Sequence, residues 1–201
     1  MPLAMRLSVI ATAAMLLTTL ACGGDDEGDA GSPTPSASQT SVASQTPGQP
    51  GTLSVTSNIF EEGGDIPAAY SCDGVAGSPD LIWSGVPAGT KSLVVLVDDP
   101  DAFGFTHWLV YGIPPNAAGV PPGVTDEPEL ANGSRQGTNS FREIGYGPPC
   151  PPEGSTHTYR FRVYALGTEV TLEPGAGAKD VLGAIEGHVL ALGALSVKLG
   201  R

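Results

Sequence analysis

The sequence predicts a mainly β fold, an antiparallel β-sandwich with a few peripheral helices, and three observations carry that expectation. Short apolar runs alternate their side chains with a period of two, turn residues separate them, and helical periodicity is confined to one stretch near residue 180. The 28 glycines and 19 prolines of the 201-residue chain supply the punctuation.

In chain order, residues 1–21 do not belong to that fold. Met1 to Arg6 carries one basic residue, Leu7 to Leu20 is uncharged and apolar, and Cys22 follows Ala21 where polarity returns. The stretch is too short to span a bilayer comfortably and has the layout of a secretory signal. Thr19-Leu20-Ala21-Cys22 resembles a bacterial lipobox, with Thr19 where leucine is usual. That resemblance implies lipidation at Cys22, which anchors a chain to a membrane without crossing it. Residues 22–52 are mostly Gly, Ser, Thr, Pro, Gln and Ala, with acids at Asp25, Asp26, Glu27 and Asp29. No apolar period there could bury anything, so a disordered tether is expected. About 30 residues of flexible chain span roughly 30 Å.

The folded domain is expected over residues 53–201. Strands are expected at Leu53–Ser57, Leu81–Ser84, Ser92–Val97, Thr106–Ile113 and His157–Leu166. Asp73-Gly74, Val86-Pro87-Ala88-Gly89 and Pro114-Pro115-Asn116 read as turns. One helix is expected from Lys179 to about Leu192, with Val181, Leu182, Ile185, Val189 and Leu192 on one stripe. Gly183 and Gly187 weaken it, so packing must hold it. Leu195–Leu199 reads as a last strand. Between Pro114 and Ser155 lies a long stretch rich in Pro, Gly and Asn; loops of that length inside a domain are usually functional or disordered. The aromatic and proline content of Phe141 to Pro152 favours order.

Charge narrows the partners. Of 21 acids and 9 bases, four acids and Arg6 precede residue 53, which leaves 17 against 8 and a net charge of −9 for the domain. A surface that acidic argues against nucleic acid and against adsorption to anionic lipid. If Cys22 carries lipid, Cys72 and Cys150 remain as an even pair in an oxidising compartment, where a disulfide is open to them. A metal pair or a nucleophilic cysteine are the weaker alternatives, because no Cys-x-x-Cys or matching base spacing accompanies either residue.

The chemistry concentrates where apolar runs end. Asp98, Asp99, Pro100 and Asp101 follow one aliphatic run, and His107 opens the next segment. Alternation puts His157, Tyr159, Phe161, Val163 and Ala165 on the inward face of their strand, with Thr158, Arg160 and Arg162 outward. The same rule groups His107, Leu109, Tyr111 and Ile113, with Trp108 and Val110 opposite, so that strand is expected to be covered on both sides. Either histidine alone reads as a hydrogen-bonded core residue. Together, one beside the Asp-Pro-Asp corner and the other after Gly147-Pro148-Pro149-Cys150-Pro151-Pro152, they point to one rim with Tyr159.

Several chemistries compete for that rim. His107, His157, Asp99 and Asp101 are metal-ligand types, but no His-x-His or His-Glu-x-x-His spacing supports a metal. The acids do not follow a calcium loop. A hydrolase using His107 and the Asp pair, or a Cys150/His157 dyad, is formally open and unsupported. A binding pocket fits better. Imidazole N–H groups, the Tyr159 hydroxyl and loop amides could donate to a phosphate or carboxylate, while Asp99 or Asp101 orients a histidine or accepts from a cationic head. No cofactor is required.

The ordered blocks "SCDG", "LIWSGVPAGTKSLVVLVDDPDA", "THWLVYGIP", "GTNSF", "GYGPPCPP" and "HTYRFRVYAL" resemble the phosphatidylethanolamine-binding protein family, specifically its bacterial Raf-kinase-inhibitor-like branch. The resemblance spans nearly the whole domain. It implies a sandwich of two antiparallel sheets with peripheral helices and a small cavity that binds phosphoryl headgroups and other anions. By that resemblance Asp99, Pro100 and Asp101 match the family's Asp-Pro-Asp, His107 its first pocket histidine, Gly147 and Pro148 its loop, and His157 and Tyr159 its His-x-Tyr, with Trp108 in the wall. Phe103 departs from the usual proline, and Thr158 replaces the usual arginine. The expected function is a lipid-anchored, extracytoplasmic envelope protein that binds a small anionic or phosphoryl-bearing ligand. The alternative is an interaction protein that inhibits an envelope hydrolase or engages another protein through its Pro-rich loop.

Overall fold

The computed structural model describes residues 50–75 and 77–201. The signal segment, the lipobox-like Cys22 and the tether through residue 49 lie outside the described residues. Among the described residues, nine strands and one α-helix follow in order: β1 (Gly51–Thr52), β2 (Ser54–Thr56), β3 (Leu81–Ser84), β4 (Ser92–Asp99), β5 (Phe105–Ile113), β6 (Gly119–Val120), β7 (Arg135–Gln136), β8 (Thr156–Leu166), α1 (Ala178–Ile185) and β9 (Val189–Gly200). They form a six-stranded sheet in the order β1-β9-β8-β4-β5-β7 and a three-stranded sheet in the order β2-β3-β6. Pairing is antiparallel except between β1 and β9.

The larger sheet buries both faces. Leu53, Val55, Leu81, Trp83 and Val120 from the smaller sheet side pack with Leu93, Val95, Val97, Phe161, Val163 and Val197 of the larger one. On the opposite face, Val94, Leu96, Leu109, Tyr111 and Leu166 pack with Val181 and Ile185 of α1. Strand β4 lies in the middle, and all eight of its residues are buried. That explains its near-continuous aliphatic run, where a one-sided strand would alternate.

Two irregularities in β5 decide where the polar residues go. Val97 pairs with Trp108 and Asp98 with Thr106, so His107 has no partner residue of its own. A second shift separates the Leu93–Ile113 and Val95–Val110 pairs. Each is a β-bulge, an extra residue that resets the alternation of facing side chains. The expected grouping of His107, Leu109, Tyr111 and Ile113 on one face therefore fails. Leu109 and Tyr111 pack toward α1, whereas Ile113 lies in the inter-sheet core with Trp108 and Val110. The bulge turns His107 toward Tyr159, with ring centroids 5.2 Å apart.

Two further expectations are corrected. The helix ends at Ile185, and Val189 already belongs to β9. Gly187 turns the chain in the left-handed region at φ 77°, which breaks a stripe that continues only by coincidence. Leu182, assigned to that stripe, is exposed. The domain also begins before Leu53, because Gly51 and Thr52 pair with Ala191 and Leu192.

The long segment after Pro114 is ordered by side chains that replace a ladder. The Gln136 amide donates to the carbonyls of Thr125 and Glu127 at 2.6 and 2.8 Å, and its Oε1 accepts from Trp108 Nε1 at 2.7 Å. Trp108→Phe keeps most of the buried ring but strands the Gln136 oxygen. The expected loss is about 2 kcal/mol, read as a lower urea midpoint at unchanged slope.

Candidate functional site

The pocket is built outward from Asp99, the last residue of β4. Its carboxylate is buried and fully committed: Oδ1 accepts from the backbone N–H groups of Asp101 and Ala102 at 2.9 and 3.1 Å, and Oδ2 accepts from His157 Nδ1 at 2.7 Å. Pro100 opens the short 3-10 turn Pro100–Ala102 that these bonds cap, where its missing N–H costs nothing. Asp101 points away from this hub, and its Oδ2 accepts from Thr158 N–H at 2.7 Å. Asp98 faces the other side of the sheet, where it pairs with Arg160 and Arg162. The three neighbouring acids thus have three separate tasks.

The second histidine is fixed from the loop side. His107 Nδ1 donates to the Gly147 carbonyl at 2.8 Å, and Gly147 N–H donates back to the His107 carbonyl at 2.8 Å. A Cβ at Gly147 would lie 2.5 Å from the Phe141 ring, so only glycine lets loop and ring meet here. Asn139 holds that ring in place, its Oδ1 accepting from Phe141 and Glu143 N–H and its Nδ2 donating to the Gly145 carbonyl.

These parts enclose a cavity of about 280 Å³ lined by Asp99, Ala102, Phe105, His107, Phe141, Cys150, Pro152, His157 and Tyr159. Cys72 and Cys150 form a disulfide, so one bond closes the wall and ties the Pro-rich loop to the segment before β3. Arg201 backs it, pairing with Asp73 at 3.0 Å and reaching the Cys150 sulfur at 3.3 Å. Two clefts elsewhere are larger, about 410 and 340 Å³, yet neither gathers histidines or aromatic rings.

Of the residues expected to meet a ligand, Asp99, His107, His157 and Tyr159 line the cavity. Pro100, Asp101, Gly147 and Pro148 are absent from the lining; the first three act on it through the contacts above, and Pro148 follows Gly147 in the same loop. Trp108 is not a wall residue, which corrects the expectation: its ring is fully buried beside Tyr146 and bonded to Gln136. Phe105, Phe141, Ala102 and Pro152 line the cavity without having been singled out for it by the sequence, and Cys150, weighed there as a disulfide, metal or dyad cysteine, is a wall residue as well. The "GTNSF" block contains Phe141, but nothing in its spacing ties it to His107.

With Nδ1–H of each histidine committed to an oxygen acceptor, Nε2 is the ring nitrogen left for a ligand. In the neutral ring Nε2 accepts; once protonated it donates. Burial is the main influence on His107 and lowers its pKa below the usual 6.5, opposed by the Gly147 carbonyl and Asp99. Burial, and then the nearby Asp99 carboxylate, raise the Tyr159 pKa, so its hydroxyl stays protonated.

Comparison with known proteins agrees with this architecture. A family profile described as phosphatidylethanolamine-binding protein matches residues 56–199. A UPF0098 protein of Methanothermobacter thermautotrophicus (strain Delta H) is 48% identical over 140 residues, spanning 69% of this chain and 92% of that protein. LppC, a candidate lipoprotein of Mycobacterium tuberculosis (strain H37Rv), is 38% identical over 173 residues, spanning 83% of each. The crystal structure of Escherichia coli YbcL, described as a new member of the mammalian PEBP family, aligns with a TM-score of 0.69 at 34% identity, covering 74% of this chain and 98% of that one.

Proposed function

Because this chain belongs to the phosphatidylethanolamine-binding protein family, we propose that it is a lipid-anchored extracytoplasmic binding protein whose pocket takes a small phosphoryl or other anionic group without turning it over. The observation that carries the reading is the convergence of His107, His157, Asp99 and Tyr159 on one cavity. The Asp99 carboxylate spends its oxygens on three N–H donors, which weakens its repulsion of an incoming anion. The size of the cavity suits a headgroup better than a drug-sized molecule. Similarity to the candidate lipoprotein LppC over most of both chains supports the envelope location, as does the lipobox-like Cys22.

Phosphate and phosphoethanolamine are expected to raise the melting temperature of residues 50–201, by about 6 °C at about 100 times Kd. His107→Ala and His157→Ala abolish the rise. An unchanged melting temperature, or a rise indifferent to both substitutions, contradicts the reading. Ester turnover that disappears with His107→Ala would replace it with a hydrolase.

The pH dependence follows from the His107 shift. Its folded pKa lies below the usual 6.5, so the pocket holds a neutral ring above that value. Anion binding favours the protonated ring, and binding therefore takes up a proton. Affinity for a phosphodiester, singly charged throughout, should rise as pH falls below about 6.5, as calorimetry at several pH values would show. Without ligand the sign reverses: the depressed pKa makes His107 a stabilising contribution above 6.5 that is lost on acidification.

A further inference from the structure

Arg201 points at a sulfur that gains little from it while the disulfide is intact. Its Nε and Nη2 donate to the Asp73 carboxylate at 3.1 and 3.0 Å, and that fork leaves Nη1 3.3 Å from Cys150 Sγ and 3.5 Å from the Pro151 carbonyl. The backbone holds the same position: Arg201 N–H donates to the Ser155 carbonyl at 3.1 Å, and the Arg201 carbonyl accepts from Gly154 N–H at 2.6 Å. A disulfide sulfur is a weak, neutral acceptor, so the Nη1 contact adds little to the Cys72–Cys150 bond. The same contact to a thiolate is charge-assisted and about twice as strong as a neutral hydrogen bond. The arrangement therefore favours the broken bond with its electron pair on Cys150.

The two sulfurs are not equivalent. Among the described residues, no basic side chain lies within hydrogen-bond distance of Cys72 Sγ, and the residue that follows it is the acid Asp73. Glu153 is the other acid of the two joined segments, while Asp99, His107, His157 and Tyr159 share the cavity lining with Cys150. Both cysteines are exposed, so a reductant can reach the bond, and exposed disulfides are the labile ones. We propose that Cys72–Cys150 is a site of thiol–disulfide exchange with a dithiol, and that Arg201 gives the exchange one direction. The incoming thiolate attacks Cys72 Sγ; a new S–S bond forms there as the old one breaks, and Cys150 leaves as a thiolate held by Arg201 Nη1. The second thiol of the dithiol, its proton lost to water, attacks the sulfur of the first and releases Cys72, and water protonates Cys72. The dithiol ends as a disulfide and both cysteines end reduced, so electrons and protons balance. This chemistry needs no ligand in the pocket and stands or falls apart from the pocket reading, although it opens one bond of the cavity wall.

The test uses the full chain with Cys22→Ser, which leaves Cys72 and Cys150 as its cysteines. The oxidised chain is mixed with dithiothreitol, quenched with iodoacetamide at intervals and read by mass spectrometry. Arg201→Met should slow opening about tenfold, and Arg201→Lys should restore most of the rate. A purely structural Arg201 gives the opposite sign, because a loosened loop exposes the bond and speeds its reduction. With glutathione, a monothiol, the reaction stops at the mixed disulfide, and the glutathione should sit on Cys72 with the alkyl group on Cys150. Both readouts start from the oxidised chain and do not depend on the stability of the reduced one. A rate unmoved or raised by Arg201→Met, glutathione found on Cys150 or shared evenly, or a bond that resists both thiols overturns the proposal.

Discussion

Replacing Asp99 with alanine is expected to abolish phosphate binding and to cost about 3 kcal/mol of stability. The carboxylate is buried and accepts from Asp101 N–H, Ala102 N–H and His157 Nδ1. Removing it strands three donors, each worth about 1 kcal/mol or more when left unpaired in a desolvated place, with partial relief from water entering the cavity. The loss also frees the His157 ring to rotate and uncaps the turn that begins at Pro100. Asp99→Asn separates the effects. One amide oxygen still caps the turn, so most stability survives, but the amide nitrogen cannot accept from His157 Nδ1, and the ring loses its fixed tautomer. Urea denaturation beside phosphate calorimetry distinguishes these outcomes. An Asp99→Ala protein that binds phosphate normally would remove Asp99 from its organising position.

The second large effect follows from the Cys72–Cys150 bond. The bridged residues are 78 positions apart, and closing a loop of that length contributes about 4 kcal/mol through the unfolded chain. Cys72→Ser with Cys150→Ser, or reduction by a dithiol, should therefore lower the melting temperature by about 10 °C. Because Cys150 lines the cavity, ligand response should weaken as well. The loop keeps secondary ties, the Cys72 N–H to Pro149 carbonyl bond at 3.0 Å and the Arg201 contacts to Asp73 and Pro151. Weakening short of abolition is the expected result. A melting temperature unmoved by the double substitution would mean that these ties, and not the bond, hold the wall.

Much of this arrangement is legible in the sequence. Strand β3 follows from its Leu-Ile-Trp-Ser run between turns, and β8 from an alternation that runs unbroken from His157 to Ala165. The same rule failed on β5, because a bulge leaves no mark on the residues that carry it and is visible only in the pairing with β4. The misplacement of Leu109 and Tyr111 comes from that limit. The helix overran because Val181 and Ile185 share a spacing of four with Val189, and only Gly187 signalled the break. At the site, the chemistry-bearing residues were readable by type: Asp99, His107, His157 and Tyr159. The apolar wall was not, since Phe105 and Phe141 acquire their meaning from a bulge and from the Asn139 network.

The most direct test is a crystal structure of residues 50–201 grown or soaked in phosphate. A phosphate is expected inside the cavity, within hydrogen-bond distance of Nε2 of both His107 and His157, with Asp99 still bonded to His157 Nδ1. A cavity without phosphate at concentrations that saturate the protein, or two imidazoles sealed from solvent by their neighbours, would contradict it.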